Sequence, residues 1–158
     1  MESNVVNKRG DVTMRRRKAR EIAIQSLYRI EMNAVSAEDA VHAVMEQMRS
    51  ESENWQEADD RALAFILKLV KGVREHIDRI DDIFSRHLQG WKLDRLSKVD
   101  LQVLRLAVFE MYYDNETPPK VAVNEAVDLA KAFGTEDSGK FVNGVLGKVL
   151  QQLGKVEN

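Results

Sequence analysis

The sequence lacks the features that mark a secreted, membrane or metal-thiolate protein. Its 158 residues include no cysteine, only two prolines and eight glycines. The absence of cysteine excludes disulfide bonds, thiolate metal sites and a cysteine nucleophile. No apolar run approaches the roughly 20 residues that a transmembrane helix needs, and the N-terminus lacks the apolar segment of a secretory signal. We therefore expect a cytoplasmic protein, and the scarcity of proline and glycine favours long helices over many short strands.

The formal net charge of −2 conceals an uneven distribution of charge along the chain. Residues 1–20 carry seven basic and two acidic side chains, whereas the remaining 138 residues carry 17 basic and 24 acidic ones. A basic end on an acidic body favours a polyanionic partner such as nucleic acid. From the charge alone, a solvated basic tail that aids solubility is an equally good interpretation.

Apolar residues recur at intervals of three and four from Arg15 onwards, which is the period of an amphipathic helix. No stretch of useful length alternates with a period of two. The pattern predicts an all-α fold of about seven helices, arranged as two small helical bundles. Residues 1–14 show no periodicity, so we predict a disordered lead there and a helical RNA-binding domain at residues 15–154.

Local signals predict where several helices begin, bend or end. Ser36 has the side chain and spacing of a helix N-cap. Gly72 sits within a long apolar stripe that continues past it. Glycine in a helix interior costs about 1 kcal/mol relative to alanine, which predicts a bend or break near this residue. Gly134 suits the end of the penultimate helix, and Asp137 or Ser138 suits the cap of the last one.

No pattern in the sequence indicates an active site, a metal site or a cofactor. The three histidines are too scattered for a ligand set, and no serine has a histidine at a convincing position. Residues 134–140 match the phosphate loop G-x-x-x-x-G-K, but Phe141 stands where a metal-binding hydroxyl belongs. Glu136 and Asp137 would also repel the phosphates, so we interpret the match as coincidence.

The first helix opens with residues that suit binding to a nucleic acid backbone. Its basic cluster consists of Arg16, Arg17, Lys18 and Arg20. A cluster on a folded helix has a fixed geometry, which a flexible tail does not. Gln25 and Tyr28 follow within the next turns, and either could touch a base edge. Tyr28 could equally wedge between helices.

A second candidate site lies at the start of the last helix, at Lys140 and Phe141. Backbone N–H groups in a first helical turn are free to meet phosphate. Phe141 lies one residue away from the apolar seam of its helix, and stacking a base on such a ring contributes about 1–3 kcal/mol. The alternative is that Phe141 packs against the neighbouring helices, and spacing alone slightly favours this alternative.

Three segments together resemble the NusB family of transcription antitermination proteins. They are residues 16–28 (RRKAREIAIQSLY), 120–131 (KVAVNEAVDLAK) and 133–146 (FGTEDSGKFVNGVL). The first is similar to the opening helix of the family, the second to its penultimate helix and the third to its closing signature. The resemblance covers about residues 15–153, with little recognisable signature in residues 33–95.

The resemblance implies both a fold and a function. The family fold is all-helical, with two small bundles. Its members pair with the ribosomal protein NusE, bind a short single-stranded RNA called boxA, and join an antitermination complex on RNA polymerase that supports transcription of rRNA operons. The basic cluster then supplies phosphate contacts, and the RNA interpretation of Phe141 becomes the favoured one. No enzymatic activity and no cofactor are expected.

Position by position, the resemblance assigns roles to residues of this chain. Lys140 and Phe141 match the RNA-contacting closing helix, and Asp137 matches an acidic position beside them. Asp100, at the start of the fifth helix, falls in the region that meets NusE. The candidate RNA-binding residues are Arg16, Arg17, Lys18, Arg20, Gln25, Tyr28, Asp137, Lys140 and Phe141.

Two alternatives remain beside this interpretation. A similar helical domain begins some rRNA cytosine methyltransferases, which continue into a large catalytic domain with a glycine-rich cofactor loop. This chain ends at Asn158, so we expect a free-standing protein. A helical module that binds only protein would require the basic helix to be inert. Members of the family occur as monomers or dimers, so a homodimer also stays open.

Overall fold

The structure, a computed structural model, describes residues 8–51, 60–90 and 92–157, with side chains for residues 16–51, 60–90 and 92–154. Within these residues it contains seven α-helices, a single 3₁₀ turn and no β-strand. The helices are α1 (Lys8–Asn33), α2 (Ala37–Glu51), α3 (Asp60–Glu75), α4 (Ile77–Ser85), α5 (Lys98–Tyr113), α6 (Pro119–Phe133) and α7 (Glu136–Glu157). The prediction of an all-α fold with about seven helices is confirmed.

The chain divides into two compact units, Met1–Val70 and Lys71–Asn158, and α3 passes from the first into the second. In the first unit, α1 packs against α2. The apolar face of α1 supplies Ala23 and Leu27, which have no exposed surface, and α2 supplies Val41 and Val44. This burial holds the first helix, and therefore the basic residues on it, in a fixed position.

Helix α1 begins at Lys8, seven residues before the start that the apolar pattern predicts. Residues 8–14 are therefore helical, although we expected them to belong to the lead. Extending an existing helix adds one hydrogen bond for each residue that is ordered, whereas a new nucleus is costly. Polar residues can thus continue a helix that packing has already established. Residues 1–7 lie outside the described part, and the domain boundary at residue 15 stays a prediction.

The connection between α1 and α2 depends on two local features. Ala34 adopts a left-handed backbone conformation, with φ of 55°, and its N–H donates to the Ile30 carbonyl at 2.8 Å. The Asp39 N–H donates to Ser36 Oγ at 3.0 Å, so the prediction that Ser36 caps α2 is confirmed. The cap satisfies one of the N–H groups that a helix start leaves without an intrahelical partner.

Helix α5 forms the centre of the second unit. Every residue from 100 to 111 is buried, and α4, α6 and α7 all pack against this helix. A helix that is covered on all sides cannot be solvated on one face, so its polar residues need partners. Arg105 meets this need: its Nε and Nη2 donate to the two carboxylate oxygens of Asp81 at 2.9 and 2.8 Å.

The break between α3 and α4 falls at His76, four residues after Gly72, near which the sequence predicts a bend or break. Helix α3 ends at Glu75 and α4 begins at Ile77, with His76 outside helical geometry at φ −110° and ψ 21°. Gly72 itself is helical. A Cβ atom there would lie 2.3 Å from Cε1 of Phe109, so the glycine is needed for close packing of this aromatic ring rather than for a bend.

The junction of α6 and α7 follows the prediction at one residue and departs from it at the next. Gly134 ends α6, and its N–H donates to the Ala130 carbonyl at 2.8 Å. The cap of α7 is Thr135, whose Oγ1 accepts from the Ser138 N–H at 3.2 Å. The prediction that Asp137 or Ser138 caps α7 is therefore wrong, because both lie inside its first turn. None of the helices described is long and apolar enough to span a lipid bilayer.

Candidate nucleic-acid interface

The basic cluster of α1 divides into solvent-facing and packed residues. Arg17 and Lys18 are exposed and Arg16 is half-buried, whereas Arg20 is only 4% exposed. Lys18 lies 3.4 Å from the Glu21 carboxylate, an exposed ion pair of the kind that contributes little to stability. Arg17 and Lys18 are therefore accessible from solvent, whereas the predicted phosphate contact of Arg20 would require its side chain to move.

Phe65 on α3 lies beneath the two packed arginines. The guanidinium carbon of Arg16 is 4.4 Å from the centroid of the Phe65 ring, and that of Arg20 is 5.8 Å from it. Both distances lie within the range of cation–π attraction. The sequence pattern did not indicate Phe65. It lies one residue from the buried Ile66, and the same offset from an apolar seam is what indicated Phe141.

Tyr28 and Gln25 extend the surface of α1 beyond the basic cluster. Residues 17, 21, 25 and 28 follow steps of four, four and three, so they share one face of the helix. Gln25 is half-buried, and Tyr28 is 41% exposed. Tyr28 is thus available at the surface rather than wedged between helices. Met32 and Val35 are exposed nearby, and the sequence analysis had not singled them out.

The second predicted group lies near the start of α7, which begins at Glu136. Asp137 is in the first turn, but Lys140 and Phe141 are the fifth and sixth helical residues and lie past the turn whose N–H groups lack intrahelical partners. The expectation that free backbone N–H groups accompany Lys140 and Phe141 is therefore wrong.

Lys140 and Asp137 are exposed, and Phe141 is half-buried next to the fully buried Val142. Phe141 therefore keeps part of its surface in solvent, and its role in stacking a base stays a prediction. Glu136 and Asp137 place two carboxylates in the first turn, which opposes an anion at the helix terminus, so any favourable charge for phosphate in this group comes from the Lys140 ammonium.

Asp100 lies in the first turn of α5, as predicted from the resemblance. Its N–H donates to Ser97 Oγ at 3.0 Å, which caps the helix. The residue is 9% exposed, and its Oδ1 atom is buried with no hydrogen-bond partner in the part of the chain that the structure describes. Asp100 therefore offers a protein partner only a small surface.

The predicted residues fall into separate groups. Arg16 to Tyr28 belong to the first unit, and Asp100 and the α7 residues belong to the second. Within the first unit, the structure brings Arg16 and Arg20 together at Phe65. Among the described residues, no three acidic or histidine side chains lie close enough together to hold a metal ion.

Helical proteins that present basic and aromatic side chains on fixed helices form one class of nucleic-acid-binding proteins, and this chain falls in that class. The model of the NusB family matches residues 17–151. The chain therefore belongs to the NusB family, as the three sequence segments predicted. The match includes the basic cluster from Arg17 onwards, together with Asp100 and the first turn of α7.

Curated relatives match over nearly their whole length. The transcription antitermination protein NusB of Myxococcus xanthus is 44% identical over 140 residues, which cover 89% of this chain and 97% of that protein. The protein of the same name from Bacillus subtilis is 40% identical, with 89% and 98% covered.

Solved structures of the family share the fold. T. maritima NusB superposes with a TM-score of 0.74 at 34% identity, covering 86% of this chain and 90% of that one. A crystal structure of the antitermination factors NusB and NusE in complex with dsRNA gives a TM-score of 0.76 at 30% identity, covering 88% and 98%. At 34% and 30% identity, the likeness to these structures includes the sequence as well as the arrangement of the helices.

Proposed function

We propose that this protein is a transcription antitermination factor that acts in the cytoplasm by binding RNA, without catalysing a reaction. The observation that carries the proposal is its family membership over residues 17–151. The relatives from M. xanthus and B. subtilis are named as antitermination proteins. These matches favour this function over that of a methyltransferase domain, because the chain covers almost the full length of proteins that carry the antitermination name.

The protein pairs with NusE, and the pair binds boxA-type single-stranded RNA within the antitermination complex on RNA polymerase, supporting transcription of rRNA operons. A structural neighbour that contains NusB, NusE and RNA supports this partnership. Charge supports it too, because residues 21–158 are net acidic and a basic ribosomal protein would be drawn to them electrostatically.

The need for a partner follows from the small number of exposed basic residues at the candidate interface. Each phosphate neutralised on a single strand contributes about −0.7 to the slope of log K against log salt concentration. Contacts from Arg17 and Lys18, with one or two others, would give weak and salt-sensitive binding. A second protein that adds contacts to the same RNA raises the affinity without any new contact on this chain.

The proposal can be tested by fluorescence anisotropy of a labelled boxA-type RNA, titrated with the protein in the presence and absence of NusE. We expect tight, sequence-selective binding only with both proteins. Arg17→Glu should weaken binding at least about tenfold and lower the salt slope by about 0.7 or more. Arg49→Glu is the matched control, since Arg49 is an exposed arginine on the neighbouring helix α2 of the same unit.

Equal affinity of the wild-type protein and the Arg17→Glu variant would contradict the proposed interface. If the Arg17→Glu and Arg49→Glu variants lost RNA affinity equally, the basic cluster would contribute only to a general electrostatic attraction. If neither mixture distinguished boxA-type RNA from a scrambled sequence, a role confined to protein binding would become the better account.

A further inference from the structure

We propose that Phe65 is a positioning residue for RNA binding, which holds the guanidinium of Arg16 at the surface of the basic cluster. The inference rests on the proposed RNA-binding function and adds to it a residue from another helix. Phe65 lies on α3, far along the chain from Arg16, and both belong to the first unit.

The geometry of the contact carries the inference. At 4.4 Å from the ring centroid, the Arg16 guanidinium lies close to the aromatic face, where the ring quadrupole is negative. Phe65 is itself half-buried, one position from Ile66, which is only 1% exposed. The ring is therefore anchored at the margin of the core, while Arg16 keeps part of its surface in solvent.

The ring also counters a repulsion within α1. Arg16 and Arg20 are four residues apart, and like charges at this spacing repel each other on a helix surface. Both guanidiniums lie within 6 Å of the Phe65 centroid, at 4.4 and 5.8 Å. Both cations are therefore attracted to the same aromatic ring, which offsets part of this repulsion. Of the two, Arg16 is the more exposed, so it is the one that can reach a phosphate.

Ordering the Arg16 side chain before RNA binds favours binding, because less conformational entropy is then lost on binding. A free arginine loses much rotamer freedom when it grips a phosphate, and a pre-ordered guanidinium loses less. Stacking uses the face of the guanidinium, whereas its N–H donors lie in the plane and point outwards from the edge. The stacking contact with Phe65 itself therefore uses the face of the Arg16 guanidinium and none of its in-plane N–H donors.

The test compares Phe65→Leu with Phe65→Tyr in the full-length protein with NusE and labelled boxA-type RNA. Leucine keeps an apolar side chain but removes the ring, and we expect binding about two- to fivefold weaker, the range of a cation–π contact at an exposed site. Tyrosine keeps the aromatic face and should bind like the wild type. Circular dichroism establishes that each variant is folded before its affinity is compared.

A double-mutant cycle separates positioning from a structural role. In an Arg16→Ala background, Phe65→Leu should have almost no further effect on affinity, since the side chain that Phe65 orders is absent. If Phe65→Leu weakened binding equally in both backgrounds, or if Phe65→Tyr failed to restore affinity, the positioning role would be wrong.

The failure of this inference can be distinguished from the failure of the proposed function. Unchanged RNA affinity in both Arg16→Ala and Arg17→Glu would overturn the RNA interface itself. Weaker binding by Arg16→Ala with normal binding by Phe65→Leu would overturn only the role of Phe65.

An independent measurement covers the case in which Phe65→Leu does not fold. The NMR signals of the Arg16 δ-protons in the wild-type protein should be shifted upfield by the Phe65 ring current, and should stay shifted when RNA is added. Signals at ordinary positions, or a shift that disappears on RNA binding, would contradict the inference.

Discussion

Replacing Gly72 with alanine should destabilise the protein, although the same change stabilises most helices. Gly72 lies inside α3, where alanine is favoured over glycine by about 1 kcal/mol. The added Cβ, however, would lie 2.3 Å from both Cε1 and Cζ of Phe109. Carbon atoms in contact prefer a separation of about 3.5–4.0 Å, so the ring would have to move by more than about 1 Å.

Phe109 has little room for such a movement. It is 4% exposed, and its ring stacks with Tyr113 at a centroid distance of 5.7 Å and with His76 at 6.5 Å. Overpacking a rigid core costs about 1–3 kcal/mol, and this overlap belongs near the upper end of that range. After the gain in helix propensity, we expect Gly72→Ala to lower the free energy of unfolding by about 2 kcal/mol.

Urea and thermal unfolding followed by circular dichroism measure this difference, with a matched control in the same unit. Gly144 lies in α7 with open space around the position of its Cβ, so Gly144→Ala should raise the free energy of unfolding by about 0.5–1 kcal/mol. A 2 kcal/mol loss corresponds to a melting temperature lower by about 4–8 °C.

The combination of Gly72→Ala with Phe109→Leu tests the mechanism directly. A smaller, more adaptable side chain at position 109 should reduce the cost of the alanine, which gives a measurable coupling between the two sites. If Gly72→Ala were as stable as the wild type, or if it responded like Gly144→Ala, the close contact with Phe109 would not be what requires glycine.

Three further predictions concern the second unit. Asp81→Ala should lower the free energy of unfolding by about 3 kcal/mol in urea titrations, because Arg105, 7% exposed, would lose the carboxylate that pairs with it; a loss below about 1 kcal/mol would argue against a buried pair. Ser97→Ala should cost about 1 kcal/mol through loss of the α5 cap, and Ser97→Asp should recover most of it. Partial burial raises the pKa of Tyr112 above 10.0, against the opposing effect of Arg79 in α4 and Arg86 at its C-terminal end. The folded chain then holds this proton more tightly than the unfolded one, so the contribution to stability is complete below pH 10.0 and declines as pH rises through the folded-state pKa. Ultraviolet titration of the wild type against Tyr112→Phe measures that pKa, and a midpoint at or below 10.0 would contradict the assignment.

The sequence alone determined the class of fold and the family. Helical periodicity is a local property, since residues three and four apart share a face whatever the rest of the chain does. The same holds for the Ser36 cap, whose partner is three residues away, and for the end of α6 at Gly134. The family could be recognised for a related reason, because its closing signature is a continuous run of residues.

Tertiary packing decided the features that depend on residues far apart in the chain. Helix propensity predicted a bend or break near Gly72, but the approach of Phe109 shows that this glycine serves packing. The basic cluster was evident from the sequence, yet its division into exposed Arg17 and buried Arg20 depends on what covers α1. Phe65 joins that cluster only because folding brings its ring next to the Arg16 guanidinium. Local spacing specifies which face of a helix a residue occupies, and only the folded chain specifies what that face meets.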